Sequence, residues 1–245
     1  MSGAVPYLRG YGPTRFLDPA TPRSGQQAAL GADLRDFMDA LGIEKAVLGG
    51  YDWGGRAACI VSALWPERVS GLVTINGYNI QNIASSGLPA AVEQEYRHWY
   101  QWYFNTERGR AGLTRNRHEI CRLLWKLWSP NWQFSDTKYA ATGVSFDNPD
   151  FVEVVIQSYR HRHANAPGDP ALDPIERLLA GQVSIGVPTI VLHGAADGVG
   201  PAVQSEGDAR HFTGPYERRV VPLAGHFLPH EAPDAVVQAV RVLLA

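Results

Sequence analysis

The chain has 245 residues, of which 45% are hydrophobic and 19% charged, and its formal net charge is -2. This composition excludes collagen-like, coiled-coil and disordered proteins, and it lacks the basic excess of nucleic-acid binders. The sequence has no apolar run close to the ~20 residues that span a bilayer and no secretory signal pattern. Its two cysteines are too few for a disulfide framework or a structural zinc site. We therefore expect a cytoplasmic globular protein, a monomer or homodimer, with no nucleic-acid or membrane partner.

Strand and helix signals alternate through the first third of the chain. Residues 4–8 are predicted to form a short buried strand. The segment Ser24–Gln27 has the pattern of a capping box, and the apolar spacing from Leu30 to Leu41 predicts an amphipathic helix that ends at Gly42. We then expect, in order, a strand at 45–49, a helix at 56–65 and a strand at 69–75.

The middle of the chain, residues 79–185, is rich in Trp, Tyr and Arg, and its patterns are helical. Beyond it we predict strands at 188–193 and 218–223 and a final helix striped by apolar residues from Val236 to Leu244. This alternation predicts an α/β fold whose mostly parallel sheet carries helices on both faces. We divide the chain into the first part of an α/β core, a helical cap and the second part of the core, at 1–78, 79–185 and 186–245.

The segment Gly49–Gly55 joins a predicted strand directly to a predicted helix. Gly50 and Gly54 flank Asp52 at minus two and plus two, which is the spacing of a nucleophile elbow. Such a turn lifts its central side chain above the sheet, beside a helix N-terminus that favours an anion. A carboxylate there suits displacement at a saturated carbon and leaves an alkyl-enzyme ester. The alternatives are a structural turn or a phosphate loop, although the spacing fits neither GxGxxG nor GxxxxGK[ST].

An ester on Asp52 would need a base that activates water, and the sequence offers one after the last predicted strand. His226 lies in a turn there, and Asp197 lies in the loop after the preceding strand. The order Asp52, Asp197, His226 gives nucleophile, acid and base. Asp208 is a weaker alternative for the acid. No histidine, cysteine or carboxylate cluster has the spacing of a metal site, and no cofactor is implied.

These motifs together resemble the α/β-hydrolase superfamily, and within it the epoxide hydrolases. The segments that carry the resemblance are 7–12, the elbow 50–55, 193–197 and 224–229, and the likeness covers nearly all of residues 5–245. It implies an α/β-hydrolase fold with an inserted helical cap. It also implies an enzyme that opens an epoxide to a vicinal diol through an ester on Asp52. The same elbow occurs in haloalkane dehalogenases, which therefore remain an alternative.

The resemblance also implies roles for aromatic residues of the cap. Tyr100 and Tyr159 take the positions of the two tyrosines that hold and protonate the epoxide oxygen, a task that suits a phenol of pKa ~10. Both could instead be packing residues. Trp53, Trp99 and Trp102 are expected to bind substrate, and in a dehalogenase Trp53 could donate to the halide. This aromatic content suggests a small apolar epoxide, with water as the second substrate.

One element of the family pattern is not found. Family members carry an H-G-x-P segment early in the chain, and its backbone supplies an oxyanion-hole N–H. The only His-Gly pair here, His193-Gly194, belongs to the acid loop. The resemblance thus implies a chain that lacks the N-terminal strands, with an unpaired sheet edge beside Asp52. A catalytically silent hydrolase, or a protein that binds ligands in the cap pocket, is the remaining alternative.

Overall fold

The computed structural model describes residues 3–245, and its centre is a parallel sheet of four strands in chain order. The register places Tyr51 opposite Ile75 and Ile75 opposite Leu192, so all the strands end at the same edge of the sheet. The predicted α/β class and the four strands predicted from residue 45 onward are confirmed. The strands are β1 (Ala46–Tyr51), β2 (Val69–Ile75), β3 (Thr189–Gly194) and β4 (Tyr216–Val221).

Helices precede, connect and follow these strands. The first is α1 (Gln27–Ala40), and α2 (Asp52–Leu64) follows β1 without a loop. Between β2 and β3 the chain forms α3 (Val92–Arg97), α4 (Trp99–Phe104), α5 (Glu107–Trp128), α6 (Asp136–Gly143), α7 (Phe151–Arg162) and α8 (Asp173–Leu179). After β4 it forms α9 (Leu228–Glu231) and α10 (Pro233–Leu244). Among the residues described, no helix combines the length and the apolar character that crossing a bilayer requires.

Alternating side chains of the central strands bury the two faces of the sheet separately. Leu72 of β2 and Val191 of β3 pack with residues of α1 and α2 on one face. Val73 and Leu192 pack on the other face, where Ala239 of α10 covers them. β3 is buried throughout and β2 is buried except at Ser70, as expected for a parallel sheet between two helical layers. The predicted helices on both faces are therefore confirmed.

Four of the six helices between β2 and β3, from α4 to α7, bury apolar side chains in one cluster over the carboxyl edge of the sheet. Their cluster joins Tyr100 and Tyr159 to Trp53 of α2 and to Phe227 after β4. This cluster is almost entirely aromatic and aliphatic, so the hydrophobic effect fixes the helical segment over the strand ends. This packing also fixes the segments that follow β1 and β4, which contribute Trp53 and Phe227 to the cluster.

Two local predictions near the N-terminus are wrong. Residues 4–8 form no strand, and Val5 is 93% exposed. Pro6 has no N–H to give to a strand ladder, and the apolar pattern alone did not account for this. The predicted capping box is also absent, since the Ser24 hydroxyl donates to Gln26 and Gln26 makes no side-chain cap. Instead, Glu176 of α8 accepts a hydrogen bond from the Ala28 N–H at 3.0 Å and caps α1 from outside.

Candidate active site

The turn between β1 and α2 has the conformation expected of a nucleophile elbow. Asp52 has φ +48°, a left-handed conformation that costs energy for a residue with a side chain. A Cβ atom at Gly50 would collide with the Gly54 carbonyl group, so this position requires glycine. A Cβ atom at Gly54 would meet nothing within 4 Å, so of these two glycines only Gly50 is required for steric reasons. The strained turn holds the Asp52 carboxylate at the carboxyl edge of the sheet.

The structure brings the three residues of the predicted relay together. His226 Nδ1 lies 3.0 Å from Asp197 Oδ2, and His226 Nε2 lies 3.6 Å from Asp52 Oδ2. Asp197 and His226 are almost fully buried, whereas 32% of the Asp52 side chain is exposed. His226 Nε2 has no hydrogen-bond partner among the described residues. The imidazole is thus oriented by one carboxylate and faces the other across a gap.

Asp197 is held by more than the histidine. Its Oδ1 accepts from the backbone N–H groups of Val199 and Gly200, at 2.7 and 3.2 Å. Its Oδ2 accepts from Asn76 Nδ2 at 2.5 Å. We did not predict a role for Asn76, although its position as the first residue after β2 was a usable signal. Asp208, the weaker candidate for the acid, instead accepts from the Tyr78 N–H at 2.8 Å.

The three groups shift one another's protonation. Burial lowers the pKa of His226, but the negative charges of Asp197 and Asp52 outweigh burial and raise it to about 10. Burial raises the pKa of Asp52, and the stronger opposing effects of His226, Arg56 and Arg162 bring it below its usual range. The pKa of Asp197 is lowered too, because His226 and two backbone N–H groups outweigh burial. At neutral pH the site therefore holds an imidazolium between two carboxylates.

The end of α5 holds the two loops that carry the predicted acid and the predicted base. The Trp128 carbonyl accepts from the Gly198 N–H at 2.9 Å and from the His226 N–H at 3.1 Å. The neighbouring Ser129 hydroxyl accepts from the Phe227 N–H at 3.0 Å. A Cβ atom at Gly198 would collide with the Leu127 carbonyl oxygen, so this close approach depends on glycine. The acid loop and the base loop are thus tied to the same helix end.

A cavity of about 160 Å³ opens onto Asp52 and His226. The two predicted cap tyrosines, Tyr100 and Tyr159, line it with their rings 5.6 Å apart and edge to face. Both are buried, and Gln101 Nε2 donates to the Tyr100 hydroxyl at 3.2 Å. Burial and the charge of Asp52 raise the pKa of Tyr100 to about 12, so it stays a proton donor at neutral pH.

The three tryptophans expected to bind substrate do not line this cavity. Trp53 is buried in the aromatic cluster, with its ring 6.1 Å from that of Tyr159. Trp99 packs beside Tyr103, and Trp102 is 40% exposed. Packing places the three rings away from the cavity, so the structure does not support their predicted contact with substrate.

The cavity wall is polar, whereas the aromatic content of the sequence suggested an apolar substrate. Arg56 and Arg162 line it together with asparagine, glutamine and histidine side chains. Arg56 follows Asp52 by one helical turn, so its presence on the same side of α2 was readable from the i, i+4 spacing. Arg162 lies on a distant helix, and no local pattern connects it to Asp52. Among the described residues, no group of three or more His, Cys, Asp or Glu side chains is placed to hold a metal ion.

Comparison with known proteins identifies a family model, a crystal structure and curated proteins that are similar to this chain. The model of the alpha/beta hydrolase fold family matches residues 5–233. The crystal structure of a "putative epoxide hydrolase" from Klebsiella pneumoniae is 46% identical, with a TM-score of 0.94 over 98% of this chain and 79% of that one. Epoxide hydrolase 1 of Caenorhabditis elegans is 24% identical over 88% of this chain and 52% of its own length. Epoxide hydrolase 4 of Mus musculus is 42% identical over 28% of this chain and 19% of its own. The chain thus spans about half or less of these curated relatives.

Proposed function

Because the chain belongs to the α/β-hydrolase fold family, we propose that it opens an epoxide to a vicinal diol through an ester on Asp52. One observation carries the proposal: the Asp52 carboxylate, the free Nε2 of His226 and two buried tyrosines face one cavity. The resemblance to proteins named epoxide hydrolases supports it. Asp52 and the two tyrosines have the protonation that the first step requires, and the ester on Asp52 then changes that of His226.

In the first step, an oxygen of Asp52 attacks one epoxide carbon and forms an ester. The carbon–oxygen bond of the ring breaks, and its electron pair moves onto the oxygen. Tyr100 or Tyr159 donates a proton to that oxygen, so a hydroxyl forms rather than an alkoxide. The low pKa of Asp52 keeps the nucleophile ionised, and no base is needed to activate it.

In the second step, the ester changes the role of His226. Alkylation removes the negative charge of Asp52, which lies 3.6 Å from His226 Nε2 and helps to keep the imidazole protonated. The pKa of His226 therefore falls, and the imidazolium gives its proton to the tyrosinate, whose pKa is higher. The neutral ring then takes a proton from water, and the hydroxide attacks the ester carbonyl carbon of Asp52. Collapse of the adduct releases the diol, whose second hydroxyl takes the remaining proton of the attacking hydroxide. Asp52 is again a carboxylate and His226 again protonated, as at the start.

The two cap tyrosines favour an epoxide over a haloalkane. In a dehalogenase Trp53 was expected to donate to the halide, and it does not line the cavity. An epoxide oxygen needs a proton donor, and two tyrosines line it. A dehalogenase would form a different adduct on Asp52, and one experiment distinguishes the two functions.

The test is an intact mass of the His226→Gln protein after incubation with epoxides and, separately, with haloalkanes. Without its base the enzyme should retain the ester, seen as the whole epoxide mass added and mapped to Asp52. The His226→Gln protein with Asp52→Asn added should gain no mass. A matched control is His230→Gln, since His230 stacks on Trp132 at 5.5 Å, outside the cavity. It should form no lasting adduct.

Two outcomes would contradict the proposal. An adduct that lacks the halogen, with none from epoxides, would identify a dehalogenase. A folded His226→Gln protein that gains no mass from any epoxide would favour a catalytically silent hydrolase. Circular dichroism of each variant establishes that the protein is folded.

A further inference from the structure

The proposed chemistry uses no arginine, yet two arginines line the cavity beside the nucleophile. Arg56 is only 6% exposed, and its Nε donates to the Asn79 carbonyl at 3.2 Å. Within the part of the chain that the structure describes, its terminal nitrogens donate to no acceptor, and no carboxylate lies within ion-pair distance. The charge of Asp52 acts on Arg56, but no anion is bonded to this guanidinium. A mostly buried guanidinium that lines a cavity without a bonded anion favours the binding of one.

Arg162 closes the same cavity from the end of α7. Its guanidinium carbon lies 5.0 Å from the centre of the Tyr159 ring. Its Nε reaches the side-chain oxygen of Gln81 at 2.5 Å when that amide is oriented to accept. No carboxylate of the described chain pairs with it. Arg160, two positions earlier, differs in this respect, since it binds Glu107 at 2.7 Å outside the cavity.

The charges around the cavity do not cancel. Two guanidinium groups and the protonated His226 face only two carboxylates, Asp52 and Asp197. Burial and the like charge of Arg162 lower the pKa of Arg56 to about 9, so Arg56 still carries its charge at neutral pH. The two arginines thus repel each other in the described structure, and one bound anion would relieve both the repulsion and the excess of positive charge.

We propose that the substrate carries a carboxylate, which Arg56 and Arg162 bind while Asp52 attacks the neighbouring epoxide. This inference rests on the proposed function and names its substrate class. A guanidinium presents paired N–H donors that match the two oxygens of a carboxylate. The earlier expectation of a small apolar epoxide is thereby replaced by that of a small anionic one.

The size of the cavity limits the length of this acid. At about 160 Å³ it resembles a cavity of 150 Å³ that accommodates benzene, so it admits about six non-hydrogen atoms. Glycidate, the shortest 2,3-epoxy carboxylate, has that number. Addition of one water would convert a 2,3-epoxy carboxylate to a 2,3-dihydroxy carboxylate, and the carboxylate itself would not react. No oxidant or other reactant is needed.

The test compares glycidate with glycidamide, its neutral counterpart of equal size. We expect kcat/KM for glycidate to exceed that for glycidamide by at least about tenfold, because hydrogen bonds between charged partners are worth more than tenfold in binding. The ratio should fall by about tenfold or more in Arg56→Met and in Arg162→Met. Arg56→Lys provides a second variant if Arg56→Met does not fold. Arg160→Met is the matched control and should keep the wild-type ratio.

A binding measurement separates this inference from the proposed function. Calorimetry with the unreactive products glycerate and glyceramide should show the same preference for the anion and the same loss in the arginine variants. Preference for glycerate without turnover of either epoxide would contradict the proposed function and leave the carboxylate site standing. Equal use of glycidate and glycidamide would overturn the inference while supporting an epoxide hydrolase. A preference that survives both arginine substitutions would overturn the inference as well.

Discussion

Replacement of Asp52 by Asn should lower the pKa of His226, because it removes one of two charges that keep the ring protonated. The Asp52 Oδ2 to His226 Nε2 distance is 3.6 Å. At effective dielectric constants of about 20 to 80, unit charges at this distance attract by about 1 to 5 kcal/mol, or about 1 to 3 pKa units. Since 32% of the Asp52 side chain is exposed, screening favours the lower half of this range. We expect the pKa of His226 to fall from about 10 by about 1 to 2 units.

The assay is a pH titration of the histidine ring nitrogens by NMR, in which the His226 signals are assigned by their loss in His226→Gln. Asp36→Asn is the matched control, since Asp36 pairs with Arg35 on an exposed surface. A His226 pKa that is the same in Asp52→Asn and wild type would refute the charge coupling. It would also remove the reason for His226 to become a base once the ester has formed.

Three further predictions concern the donors, the pH range and the loops. The double variant Tyr100→Phe, Tyr159→Phe should lower kcat/KM for an epoxide by about 10²- to 10⁴-fold, and each single substitution should lower it less. A double variant with unchanged kcat/KM would contradict the role of the two tyrosines as acids. Because the folded pKa of His226, about 10, exceeds its unfolded value of ~6.5, His226 should stabilise the fold fully below ~6.5 and lose this effect as pH rises through about 10. The measurement is the free energy of unfolding in urea for wild type and for His226→Gln. The excess stability of wild type over the variant should shrink as pH rises over this range, and an increase would contradict the raised pKa of His226. Gly198→Ala should lower the free energy of unfolding by about 1 to 3 kcal/mol in the same assay, because its Cβ atom would collide with backbone. Gly87→Ala, whose Cβ atom would meet open space, should leave this free energy nearly unchanged. Equal losses in the two variants would refute the steric argument.

The sheet and the relay were predictable because each depends on local spacing. Continuous apolar runs indicate buried parallel strands, and the carboxyl ends of such strands meet at one edge. In the structure Asp52 directly follows β1, and Asp197 lies in the loop after β3. His226 lies in the loop after β4. The chain order therefore specified their meeting before any contact was known.

The polar wall of the cavity depends on contacts that local spacing does not encode. Arg162 ends a basic run on α7 that reads as an ordinary helix C-terminus. Its neighbour Arg160 has the same residue type, but it pairs with Glu107 on the surface. Only the packing of α7 against α4 and α5 distinguishes the two. The same reason explains the tryptophans, since a helical stripe does not specify which of its sides meets a cavity.

The Trp128 carbonyl at the end of α5 couples docking of the helical segment to assembly of the proposed active site. Ser129 and Phe227, whose hydrogen bond accompanies the Trp128 contacts, are 98 positions apart in the chain. These hydrogen bonds join the helical segment to the loops that carry Asp197 and His226, and the sheet alone does not supply them. Under the proposed function, a chain that has completed its sheet alone should therefore be inactive. Recovery of activity on refolding should thus report docking of that segment, and not formation of the sheet.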